Sequence, residues 1–205
     1  MNVLNLYAGI GGNRKYWENV TVTAVESDEN IADVYKTLYP DDTIVVGDAL
    51  EYLESHYKEF DFIWASPPCQ SHGQYRHNVG VMGKGFAPVI PDMNLYAIIV
   101  FLKTYYAGKY AVENVVPYYD YLIKPTIVLQ RHPFWTNFKI TPKEFPKDNI
   151  REKNKISDFD GHEIIIDSKI ANKRQALRNC VNPELGDYIL QELIRDKESE
   201  LSPRV

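Results

Sequence analysis

Cysteine is scarce in this 205-residue chain, which holds two, Cys69 and Cys180. They lie far apart with no paired or metal-type spacing, which argues against a disulfide framework or a zinc site. Long apolar runs are missing as well, and none approaches the roughly 18 residues that a membrane span needs. The opening residues, MNVLNLY, run straight into a strand-like pattern without a basic leader, an apolar core or a cleavage signal. A cytoplasmic, soluble protein with no membrane partner is the expectation. Internal repeats and low-complexity tracts are also lacking. Charge of one sign is modest: the formal net is -5, which excludes coating nucleic acid by bulk charge alone. A local basic region could still do so, because what matters is where the charge sits. Lys139 to Arg178 carries a local net of +3, against -8 for the rest of the chain.

What is present is enough apolar sequence, 44%, for one well-buried core. Short apolar runs alternate with helical patterns over the first two thirds. Val3 to Tyr7, Thr21 to Val25, Thr43 to Val46, Phe60 to Ala65 and Tyr110 to Val112 read as strands. Asn30 to Leu38, Ala49 to Tyr57 and Asn94 to Tyr106 read as helices, with apolar residues three or four apart. Glu184 to Glu198 reads as an amphipathic helix. Such alternation predicts an α/β fold, a mostly parallel sheet with helices on both faces. Ligands then bind beyond the carboxyl ends of the strands. Ser66 to Asp92, rich in glycine and without clear periodicity, is too long for an ordinary connection and reads as a functional or a disordered loop.

Chemistry-bearing residues fall at those strand ends. After the first strand, Gly9, Gly11 and Gly12 allow a sharp turn and close approach to a nucleotide-like ligand. The second strand ends on Glu26, placed to accept hydrogen bonds from ribose hydroxyls. The third ends on Asp48, which either accepts from an adenine amino group or caps the helix that follows. The fourth runs into Ser66-Pro67-Pro68-Cys69-Gln70, where paired prolines fix the backbone and present a thiol, whose thiolate is a strong nucleophile. The fifth ends on Glu113, facing the same crevice. A thiol and a carboxylic acid are the pair needed to add a nucleophile across a pyrimidine ring.

Taken in order, YAGIGG, the Glu26 to Asp28 stretch, Gly47-Asp48, SPPCQ and ENV resemble the motifs of the DNA cytosine-5 methyltransferase family. LQRHPFWTN, Leu129 to Asn137, resembles the family's arginine-bearing motif near the target base. Lys173 to Leu190 resembles its C-terminal motif, with Asn179, Val181 and Pro183 in the Asn-x-Val-x-Pro element. The resemblance touches nearly the whole chain except Lys139 to Ala171.

The resemblance implies a Rossmann-like class I methyltransferase with a mostly parallel seven-stranded sheet, and S-adenosyl-L-methionine as cofactor. The cofactor would contact Tyr7, Ala8, Gly9, Gly11, Gly12, Glu26, Asp48, Pro67, Asn179 and Val181. Cys69 would attack cytosine C6, Glu113 would hold N3 and the amino group, and the base would be flipped out of the duplex. The loop after Cys69 would act as a lid, with His72, Arg76, His77 and Lys84 placed to touch phosphates. Of the two arginines that the family often uses in its late strand motif, only Arg131 carries over.

Domain organisation follows the same resemblance: a catalytic and cofactor-binding part over 1–137, a reduced target-recognition region over 138–172, and C-terminal helices over 173–205 that return to the catalytic part. The middle region has room for a small hairpin, such as His162 to Asp167, with Lys143, Lys147, Arg151, Lys153 and Lys155 around it. Phosphate contacts of that kind give affinity without sequence choice. DNA is thus the expected partner, with short specificity or help from a second copy or a specificity partner. So small a chain resembles phage- or prophage-type members. RNA as substrate, or a non-catalytic binding subunit, are the competing readings.

Overall fold

The computed structural model describes residues 1–145 and 162–201. Lys147, Arg151, Lys153 and Lys155 lie outside the described residues. Seven strands form one sheet: β1 (Asn2–Leu6), β2 (Thr21–Glu26), β3 (Thr43–Val46), β4 (Phe62–Ala65), β5 (Lys109–Glu113), β6 (Ile127–Leu129) and β7 (His132–Thr136). Their order is β3-β2-β1-β4-β5-β7-β6. The first five strands pair in parallel, and β7 runs antiparallel to both of its neighbours. This is the Rossmann-like class I methyltransferase fold, with the mostly parallel seven-stranded sheet expected.

The central strands are buried on both faces, as parallel strands must be when helices cover each side. Side chains alternate across the sheet with period two. Val3, Phe62, Trp64 and Phe134 point into one core layer with Leu185, Ile189 and Leu193 of α7 (Pro183–Leu201). Leu4, Leu6, Ile63, Ala65 and Val112 point into the other. There they meet Leu53 of α2 (Ala49–His56) and Ile98, Ile99 and Leu102 of α4 (Asn94–Tyr105). Helix α1 (Glu29–Leu38) starts at Asp28, whose carboxylate accepts from the amides of Asn30 and Ile31. Helix α7 starts where Asn182 Oδ1 accepts the Glu184 amide at 2.8 Å, with Pro183 at the first helical position, where its missing N–H costs nothing.

Because Leu193 is fully buried against the sheet, α7 belongs to the core rather than to a tail. Leu193→Ala is expected to cost about 2–5 kcal/mol, read as a lower urea midpoint with an unchanged slope. A midpoint shift confined to the noise would mean that α7 is not packed as described.

Two expectations need correction. The Ser66–Asp92 segment is not featureless: Arg76–Val81 winds as a π-helical turn and continues into a short helical turn, α3 (Met82–Lys84). The hairpin expected at His162 to Asp167 is instead helix α5 (His162–Asp167). Ile165 is fully buried and its neighbour Ile164 half-buried against one cluster, formed with Ile10, Val34 and Leu177. Strand geometry would send adjacent residues to opposite faces, whereas a helical turn keeps both on the cluster. Helix α6 (Lys173–Arg178) follows. Among the described residues, no helix is long and apolar enough to cross a membrane.

Candidate active site

Strand order reverses at β1: β2 and β3 build to one side of it, and β4 starts the other. At such a switch point the loops leaving neighbouring strands diverge and open a crevice. Here those loops are Tyr7–Gly12 after β1 and Ser66–Gln70 after β4, tied together at their roots by the Ser66 amide on the Leu6 carbonyl at 3.3 Å. The cleft between them is also lined by Glu26, by Glu113 and His132 from β5 and β7, and by Asn179 to Val181 between α6 and α7.

The turn after β1 is held in a tense backbone. Tyr7 has φ 56°, and Gly9 and Gly11 have φ 56° and 80°. A non-glycine residue in the left-handed region is uncommon and tends to sit at functional sites. The three glycines have different jobs. A Cβ on Gly9 would meet nothing within 4 Å, so its backbone faces open cleft. On Gly11 it would lie 2.3 Å from the Tyr39 ring, and Gly11 does not line the cleft. On Gly12 it would lie 2.7 Å from the Val181 carbonyl oxygen, so this glycine lets the C-terminal segment close against the turn.

Glu26 sits at the tip of β2, where Oε2 accepts the Gly9 amide at 2.9 Å and Oε1 the Asp28 amide at 3.0 Å. The carboxylate is thus held rigid, half-buried at the cleft wall. Asp48 is exposed and caps α2, accepting from Leu50 and Glu51 at 2.8 and 3.0 Å. It does not line the cleft, although its charge, after burial, helps to push the Tyr7 phenol upward. A cofactor with a nucleoside and a flexible tail fits the bare backbone at Gly9 beside the fixed Glu26 carboxylate.

Cys69 is fixed by its neighbours. Asn114, next to Glu113, donates from Nδ2 to the Pro67 carbonyl at 2.9 Å, clamping the proline turn to the end of β5. The Cys69 carbonyl accepts from the amides of His72 and Gly73. Gln70 reaches Asn179 at 3.5 Å, so the thiol-bearing turn touches the C-terminal motif. Burial, and then the nearby Glu113 carboxylate, push the Cys69 thiol up to about 11, while Arg131 pulls it down more weakly. In the free protein the thiol is therefore held protonated at neutral pH.

Glu113 is 6% exposed. Its Oε1 lies 2.6 Å from Nδ1 of His132, a partner that sequence reasoning passed over in favour of Arg131. Arg131 occupies the β6–β7 turn, outside the cleft lining, and reaches Cys69 through its charge. Asn114 was also missed as a separate residue, although it stands in the ENV motif.

Of the four loop residues expected at phosphates, His72 is corrected. It is fully buried and pairs through Nδ1 with the Tyr119 hydroxyl and through Nε2 with the Asp92 carbonyl at 3.0 Å. Burial pushes its imidazole down toward the neutral form. Its role is to latch the two ends of the loop, helped by the Asp92 amide on Ser71 Oγ at 2.9 Å. His77 stacks on Tyr118 at 4.4 Å, Arg76 reaches the Ala87 carbonyl, and Lys84 is exposed.

The fold and cleft define the chain as having the architecture of a class I methyltransferase. Residues 1–86, covering the glycine turn, Glu26, Asp48 and SPPCQ, match the profile of the C-5 cytosine-specific DNA methylase family. The resemblance carried by the motifs is thereby shown over that stretch, and S-adenosyl-L-methionine is the methyl donor of that family. No curated protein matches the chain. Among solved structures, it is similar to a hypothetical protein of Thermus thermophilus, with 16% identity, TM-score 0.46, and 66% of this chain and 73% of that one covered. It is also similar to methyltransferase EhMeth of Entamoeba histolytica, with 15% identity, TM-score 0.42, and coverage of 76% and 60%. A third is a DNMT2 mutant of Spodoptera frugiperda, with 22% identity, TM-score 0.39, and coverage of 56% and 35%. The chain thus spans 60% of the Entamoeba protein and about a third of the Spodoptera one.

Proposed function

We propose that this chain is a DNA cytosine-5 methyltransferase acting through a covalent adduct between Cys69 and the target base. The observation that carries the reading is the meeting of Cys69 and Glu113 in one cleft with the glycine turn and Glu26. Bound there, S-adenosyl-L-methionine supplies an electrophilic methyl group. Gly9 and Glu26 would hold its nucleoside and tail, with Tyr7, Ala8, Gly12, Pro67, Asn179 and Val181 around it; Asp48, capping α2, is the residue a bound adenine would have to recruit.

The protein's own residues do the rest. Cytosine C5 is too weak a nucleophile to take a methyl unaided, so the Cys69 thiol gives up its proton to solvent and the thiolate adds to C6. Glu113, protonated from solvent as the base binds, gives a hydrogen bond or that proton to N3. C5 then carries enamine character and takes the methyl. Loss of the C5 proton to solvent, return of the N3 proton to Glu113 and departure of the Cys69 thiolate restore the ring. The thiol's high resting pKa fits this order of events. The Glu113 carboxylate that opposes the thiolate in the free protein is neutralised when it takes up the proton it then gives to N3. Because the base must leave the stack to reach this cleft, DNA is bound with the cytosine flipped out, under the loop latched by His72.

In this reading residues 1–137 are the catalytic part, 138–172 a reduced target-recognition region and 173–205 the returning C-terminal helices. Short specificity, or a second copy or partner that reads sequence, follows from so small a recognition region. The test is transfer of labelled methyl from S-adenosylmethionine to duplex DNA and to RNA, with the modified base identified. Label at cytosine C5 of DNA is expected. Label on RNA instead would replace the substrate class, and label on neither, with cofactor bound, would leave a non-catalytic role.

A further inference from the structure

His132 follows Arg131 at the start of β7, and it meets Glu113 directly. It is 8% exposed. β5 and β7 are antiparallel neighbours, with Glu113 opposite Phe134, so the register brings the His132 and Glu113 side chains onto the same cleft wall. Pro133 follows His132 and restricts it to an extended backbone. Nδ1 lies 2.6 Å from Glu113 Oε1, with both side chains nine-tenths or more buried. The other ring nitrogen, Nε2, is buried without a partner among the described residues, on a residue that lines the cleft. That second observation marks the ring as built for more than packing, since buried polar atoms are nearly always paired.

We propose that His132 is the positioning residue for Glu113 in base activation, an inference that rests on the methyltransferase reading above. His132 donates Nδ1–H to Glu113 Oε1 and leaves Oε2 for the base. When the Cys69 sulfur–C6 bond forms, the proton that Glu113 has taken up on Oε2 as the base binds passes to N3, and Glu113 returns to the carboxylate. The Nδ1–H···Oε1 bond then turns charge-assisted and strengthens as the adduct forms, which is where a hydrogen bond speeds a reaction. An arginine at this position would set a fixed positive charge against any proton that Glu113 takes up, whereas imidazole can donate without a fixed charge. The other groups placed to bear on the pair are Cys69 after β4, Arg131 in its own turn and Arg178 from α6.

The test uses the full chain and DNA substrate with three variants. In His132→Asn the side-chain amide can reproduce the Nδ1 donor, in His132→Gln it reaches the Nε2 position instead, and His132→Phe has neither. In the Gln and Phe variants kcat should fall by about 100-fold, with His132→Asn within about tenfold of wild type. KM for DNA and the dissociation constant for S-adenosylmethionine should stay close to wild type in all three. Formation of the covalent complex with 5-fluorocytosine DNA should slow in parallel with kcat. If His132→Phe fails to bind cofactor, and so has not folded, the Asn and Gln pair decides. Equal rates in Asn and Gln, or a loss carried by KM alone, would overturn the proposal. An inactive wild type would instead overturn the methyltransferase reading on which it rests.

Discussion

Cys69→Ser is expected to abolish methyl transfer to cytosine, with a fall in kcat of roughly 10⁴-fold or more, while S-adenosylmethionine binding stays near wild type. Serine is nearly isosteric, the proline turn is held by Asn114 on the Pro67 carbonyl, and the cofactor side of the cleft is built from Gly9 and Glu26. What changes is the nucleophile: an alkoxide is far less accessible than a thiolate at neutral pH, even where burial and Glu113 push the thiol up to about 11. Wild type should form a denaturant-resistant complex with 5-fluorocytosine DNA when cofactor is present, because fluorine replaces the proton whose loss frees the enzyme, and Cys69→Ser should form none. A variant that transfers methyl at more than a few per cent of the wild-type rate would show that Cys69 is not the nucleophile.

How much of this was legible in the sequence can be followed residue by residue. Strand β4 announced itself because a parallel strand buried on both faces carries a continuous apolar run, FIWA, and the edge strand β3 by its β-branched run TIVV. β6 and β7 did not. Pro133 lies inside β7, and a proline argues against a strand. The structure accommodates it because Glu113, the last residue of β5, faces Phe134. Pro133 therefore lies beyond the paired end of β5, where its carbonyl accepts the Asn114 amide at 3.2 Å. The same register brings His132 to Glu113, a contact between residues 19 apart in sequence that no local pattern encodes. Cys69, Glu113 and Glu26 were readable because the strand-end rule fixes their place from sequence alone. Gly11 and Asp48 show the limit of that rule. Each stands at a strand end, yet Gly11 serves the Tyr39 ring and Asp48 caps a helix. His72 shows another limit: a polar residue in a glycine-rich loop looks exposed until the fold provides Tyr119 and Asp92 to bury it.

Glu113→Gln should move two measurements in opposite directions. Methyl transfer should slow by about 10²-fold or more, the range by which a positioned acid contributes, because the amide can still accept from His132 and touch N3 but has no proton to yield. Alkylation of Cys69 by a neutral reagent such as iodoacetamide should become faster at a given pH. In wild type the rate should climb about tenfold per pH unit toward a pKa of about 11, since only the thiolate reacts. Burial is the larger cause of that raised value and remains in the variant; the Glu113 charge is the second, and it is removed. The thiol therefore titrates lower than in wild type yet still above an ordinary cysteine, and more of it is thiolate at pH 8. Peptide mass mapping separates Cys69 from Cys180, which is also half-buried. A general loosening of the cleft would slow transfer too, but it would shorten the climb toward ordinary thiol behaviour and weaken cofactor binding with it. Slower transfer with unchanged alkylation would mean that the carboxylate acts on the base without opposing the thiolate. Unchanged transfer would remove Glu113 from the chemistry, and with it the case for His132 as its partner.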